Sequence, residues 1–75
     1  MESTDRELIL KVGDSNDMLR GLYEEHLELD NMIARLENMP FQTAQEQLQI
    51  KSLKRKKLMG MDRMMDLIAP YRIEN

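Results

Sequence analysis

The sequence predicts an all-α fold: an antiparallel two-helix hairpin, coiled-coil-like, preceded by a short N-terminal helix. Residues 1–75 form one domain. Three observations predict it. Leu19, Leu22, His26, Leu29, Ile33 and Leu36 recur at spacings of three, four, three, four and three, the a/d pattern of a buried helical seam. Asn38-Met39-Pro40-Phe41-Gln42-Thr43 then breaks the pattern. A second stripe follows, with Ile50, Leu53, Lys57, Met61, Met64, Ile68 and Tyr71 as its inward positions. Two long helices joined by so short a connection become antiparallel neighbours.

The first helix is expected over about residues 4–12. Thr4-Asp5-Arg6-Glu7 fits a capping box, in which the hydroxyl and the carboxylate each serve the other residue's N–H. Gly13 is expected to stop the helix in the left-handed conformation. Asp14 or Ser15 then caps a second helix over about 15–38, with Asp17 placing negative charge in its first turn. Pro40 ends that segment, since it cannot donate a hydrogen bond and disfavours helix at Met39. Thr43-Ala44-Gln45-Glu46 is a second capping box and opens a third helix over about 44–69. Leu58 and Met65 broaden its stripe, and Pro70 is expected to end it. Folding the hairpin near residue 41 sets Leu36 against Leu48, Ile33 against Ile50, His26 against Lys57 and Leu58, and Asp30 near Lys54.

Composition narrows the function. With 75 residues, a single core rarely supplies more than about 3–5 kcal/mol. The chain has no cysteine and one histidine, which removes disulfides, a thiol nucleophile and any two-imidazole metal site. Aromatics make up 4%, too few for the stacking platforms of single-strand nucleic-acid binders. The longest apolar run, Leu67 to Pro70, falls far short of a membrane span. The acidic N-terminus lacks signal-peptide order. A cytoplasmic protein is the expectation.

Charge divides the chain. Residues 1–38 hold ten acids and four bases, and residues 39–75 four acids and seven bases. The bases gather in Lys51, Lys54, Arg55, Lys56 and Lys57. On a chain of net charge −3 the run reads first as the complement of the acidic half. The alternative is a small nucleic-acid-binding hairpin using Lys51, Lys54 and Arg55, with phosphates as the target.

His26 is the one polar residue in the first seam. As a ligand it would have Asp30 beside it, but one His and one carboxylate are too few for a closed zinc site. The plainer reading makes His26, Asp30 and Lys57 a structural polar seam that fixes register. Asp30 is expected to turn toward Lys54 and solvent. Eight methionines are many for this length. Met59, Met61 and Met65 are candidates for a self-association edge, against the plainer reading of core filling. Gly21 and Gly60 lie inside helices, either for close approach of another backbone or by tolerance.

Glu25-His26-x-x-Leu29-Asp30-x-x-Ile33-x-Arg35-Leu36-Glu37, followed by Leu53-Lys54-x-x-Lys57-Leu58-x-x-x-Asp62, resembles the YdcH-like family of small bacterial helical-hairpin proteins of uncharacterised function. The resemblance covers about residues 4–72. Members usually carry Lys before the Asp matched by Asp62 and an acid after it, where this chain has Met61 and Arg63. The resemblance implies a helical hairpin in a bacterial cytoplasm and carries no catalytic residues. The expected function is a non-enzymatic protein–protein interaction or self-association module. Its partner is a second copy, as a dimer or higher oligomer, or another helical protein, with nucleic acid disfavoured and no cofactor, metal or small-molecule substrate.

Overall fold

Three local devices decide where the helices begin and end. In the computed structural model, which describes residues 3–73, the helices are α1 (Ser3–Gly13), α2 (Asp17–Glu37) and α3 (Ala44–Ile73). No strand occurs among the described residues. α2 is capped by Asn16, not by Asp14 or Ser15. Its backbone is extended, and its side-chain oxygen accepts from the Leu19 N–H at 3.1 Å. Ser15 instead donates its hydroxyl to the Val12 carbonyl.

Thr4 lies within the first turn of α1 rather than before it. Gly13 does not take the left-handed conformation; no residue with positive φ occurs among those described. Arg20 does the work expected of that glycine. Its guanidinium donates from Nε and Nη2 to the Gly13 carbonyl at 3.2 and 3.1 Å, and from Nη2 to the Asp14 carbonyl at 3.2 Å. A cation at a helix C-terminus satisfies orphan carbonyls and meets the negative end of the dipole.

The start of α3 is the reciprocal capping box. Glu46 N–H donates to the Thr43 hydroxyl at 3.1 Å, and Thr43 N–H donates to the Glu46 carboxylate at 3.0 Å. At the other end α3 runs through Pro70 to Ile73, where the sequence reading ended it near residue 69. Pro70 lacks the N–H that would pair with the Asp66 carbonyl one turn back, so the helix passes it at the cost of that one hydrogen bond. Arg72 in the added turn pairs with Asp5 of α1.

Ile9, Val12, Leu19, Met64 and Ile68 form one buried cluster, with Leu22, Tyr23, Met61 and Met65 packed against it. All three helices meet there, and α1 supplies two of the five residues. Leu29, Ile33 and Ile50 are buried closer to the 38–43 turn. Tyr71, the last inward position of the stripe, is exposed, because α3 outruns the start of α2.

The pairings between α2 and α3 run in opposite sequence order: Lys57 meets Asp30, and Lys54 meets Glu37. Asp30 therefore pairs three residues further along α3 than the sequence register placed it. Helical side chains lean toward their own N-terminus and cover the surface one position back. Lys57 and Lys54 both lean that way, toward the turn. Leu48 and Leu58, set inside by that register, are exposed at 66% and 58%.

Candidate functional site

His26 projects from the buried face of α2, one turn before Asp30, and that spacing puts both on one side of the helix. Its Nε2 lies 3.4 Å from Asp30 Oδ2, longer than an ordinary hydrogen bond. The other oxygen, Oδ1, lies 2.5 Å from the Lys57 ammonium on α3. Asp30 thus bridges both helices, rather than turning to Lys54 and solvent as its sequence position suggested. Its short side chain meets the leaning lysine first.

His26 Nδ1 is buried with no hydrogen-bond partner. Burial pushes the imidazole below its ordinary pKa of 6.5; Asp30 pulls it back up and Lys57 pushes it down, and the net direction is down. The ring is therefore neutral at pH 7. A proton on Nε2, facing the carboxylate, leaves Nδ1 as a bare lone pair, less costly to bury unpaired than an N–H. Tyr23 stacks on the imidazole at 6.3 Å between centroids and 18° between planes. Arg6 of α1, Leu27 and Met61 close the small hollow around it. Leu58, expected against the ring, is not among the residues lining this hollow. One step beyond Lys57 turns a side chain by about 100°, and Leu58 lines a groove with Ile33 and Ala34 instead.

The cluster can store a proton preference and tie α2 to α3. A group of three or more His, Cys, Asp or Glu able to hold a metal does not occur among the described residues. Lys51, Lys54 and Arg55 are exposed and share one face of α3, being three and four residues apart. Lys54 Nζ is committed at 2.8 Å to Glu37. The three methionines of the expected edge do not share a face. Met61 and Met65 pack against the core cluster, while Met59, two residues from Met61 and so nearly opposite on the helix, is exposed at 61%.

Two residues escaped the sequence reading. Arg20 gave no signal, because a C-terminal cap from the next helix has no fixed spacing. Phe41 gave one: a large apolar residue in a turn flanked by Asn, Pro and Gln. It is exposed at 89%.

No described helix is long and apolar enough to cross a membrane. A family model described as "Protein of unknown function (DUF465)" matches residues 19–68. No curated protein and no solved structure matches the chain. The match spans most of α2 and α3 and leaves α1 outside. The chain belongs to this family of small uncharacterised proteins, which includes the YdcH-like proteins.

Proposed function

We propose that the chain is an antiparallel helical hairpin, closed at its open end by α1, that acts without catalysis through protein–protein contacts, self-association foremost. The observation that carries this reading is the apolar surface left outside. Leu10, Met18, Leu27, Phe41, Leu48 and Leu58 are all large and exposed. These side chains lie on all three helices and on the turn between α2 and α3, and where such surface is contiguous it marks a docking site. The charge pattern agrees. α2 carries six acids and two bases, and α3 three acids and seven bases. Of the three bases of the alternative reading, Lys54 is engaged by Glu37 within the chain, which counts against a face kept free for phosphates.

Sedimentation velocity over a concentration series tests the reading. Mass is expected to rise with concentration through the micromolar range, together with the melting temperature. A monomer throughout refutes self-association. A salt-sensitive mobility shift with RNA or DNA, abolished by Lys51→Glu with Arg55→Glu, would put the nucleic-acid reading in its place.

A further inference from the structure

We infer that a second copy of this chain docks on the face of the hairpin that holds Glu28 and Lys56, with α2 of each copy lying on α3 of the other. The inference rests on the self-association reading and names its surface. Two grooves follow the α2–α3 seam, and they share no lining residue. One, of about 720 Å³, holds both ion pairs that join the helices, Asp30–Lys57 and Glu37–Lys54. The other, of about 500 Å³, has Glu24, Glu25 and Glu28 on its α2 wall and Lys56 on its α3 wall. Lys54 and Lys56 are two residues apart, about 200° around α3, which puts the two grooves on opposite sides of the seam. The three glutamates and Lys56 form no ion pair among the described residues. Charge is thus engaged within the chain along one groove and left free along the other.

The free groove runs along a second stripe on each helix. On α2, Met18, Glu25 and Met32 stand seven apart. On α3, Leu53, Gly60 and Leu67 do, and Lys56 and Arg63 beside them. Seven residues are nearly two turns, so each set keeps one direction. A helix that packs on two neighbours needs such a stripe beside its first. Met18 and Met32 are exposed, at 59% and 37%. At Gly21 and Gly60 a Cβ would meet nothing within 4 Å, which leaves room for another backbone to come close.

Charge names the occupant. Glutamates on the α2 wall, with Lys56 and Arg63 along α3, call for a partner with the same two walls in exchanged places. A second copy related by a two-fold axis along the helices supplies it. Its α3 lies on α2, its α2 lies on α3, and every neighbour is antiparallel. α2 carries six acids and two bases, and α3 three acids and seven bases, so both contacts attract. An axis across the helices would lay α2 on α2 and oppose like charges. The register agrees. Rotation about an axis along the helices keeps residues at their own level, so positions level within one chain are level between copies. The register that sets Lys57 against Asp30 and Lys54 against Glu37 sets Arg63 level with Glu24 and Glu28. All three are exposed and without an ion pair among the described residues.

The test is sedimentation of wild type, of Glu24→Lys with Glu28→Lys, and of Lys56→Glu with Arg63→Glu, each alone and the two variants mixed in equal amounts. Circular-dichroism melting at the dilute limit accompanies it, and should stay near wild type because these side chains form no ion pair in their own chain. Each variant alone should self-associate at least about tenfold more weakly, since both of its contacts then oppose like charges. The mixture should recover wild-type association, because both contacts then join opposite charges again; a folding defect would not be repaired by mixing. Leu58→Ser, in the other groove, should associate like wild type. Wild-type association of either charge variant alone, or a mixture that does not recover, overturns the inference. If L58S dissociates and the charge variants do not, self-association stands and its surface is the groove of the ion pairs. If wild type never associates, both this inference and the reading it rests on fall.

Discussion

Replacing Asp30 with Asn removes one charge from the point where α2 and α3 are tied, with little change in shape. Two effects follow, and they have different signatures. The first is loss of the contact to Lys57, in which the lysine side chain is 32% and the aspartate 42% exposed. Exposed ion pairs contribute about 0–1 kcal/mol, and fully buried ones lose about 3–5 when one partner is removed. A half-covered pair falls near the upper edge of the exposed range, so D30N should cost about 1 kcal/mol at pH 7. Against a total of about 3–5 kcal/mol for a core this small, that loss is readily seen in urea unfolding.

The second effect is on His26. Asp30 is the one neighbour that raises its pKa, working against burial and Lys57. In D30N the pKa should fall further below 6.5. A histidine with a depressed folded pKa contributes stability that is complete above the unfolded pKa and lost as pH falls through the folded one. Wild type should therefore weaken below about pH 6.5, and D30N should continue to lose stability to a lower pH. The chain has one histidine, so its NMR titration is unambiguous. A wild-type pKa above the free value, or a D30N pKa equal to or above wild type, would refute the burial argument.

Three further outcomes are expected. Lys54→Glu should destabilise by about 0.5–1 kcal/mol, because its partner at 2.8 Å is Glu37, and added salt should shrink the difference; a loss that persists in high salt would deny the electrostatic cause. Arg20→Ala should speed amide hydrogen exchange in α1 while leaving the α2 and α3 amides near Leu29, Ile33 and Ile50 as slow as before, since the guanidinium caps Gly13 and Asp14 only; uniform acceleration would mean that α1 unfolds with the rest. Gly21→Ala and Gly60→Ala should each stabilise by about 0.8–1 kcal/mol, because a methyl at either position meets nothing within 4 Å; a loss in monomeric protein would reveal a close approach that the structure lacks.

What could be read in the sequence was what periodicity and capping encode. Leu19, His26, Leu29 and Ile33 recur at seam spacing and are buried. Thr43 and Glu46 stand three apart and exchange hydrogen bonds. What could not be read depended on side-chain length and direction. The leaning of Lys54 and Lys57 moved both ion pairs, and with them the environments of His26 and Leu58. Arg20 reaches seven residues back to Gly13, a distance that no local motif encodes. Pro70 reads as a stop, yet the helix continues where Arg72 finds Asp5, a tertiary contact outweighing a local preference.

The extent of the family match bears on where a partner can sit. Leu19, Met64 and Ile68 lie within residues 19–68, while Ile9 and Val12 lie outside. All five are buried together, so the matched pair of helices carries, at its open end, an apolar surface that needs a cover. In this chain α1 is that cover, held by the Arg20 cap and the Asp5–Arg72 pair. Ile9 and Val12 are nearly fully buried, and side chains of that size contribute about 1.5–3 kcal/mol each on full burial, enough to offset much of the ordering of a short helix. The open end is therefore already satisfied from within. The turn end has no such cover, and Phe41 and Leu48 remain exposed there. An external partner that seeks apolar surface displaces nothing at the turn, but must first strip α1 away at the other end. Removal of α1 is therefore expected to uncover Leu19, Met64 and Ile68 and to open an apolar docking surface at that end.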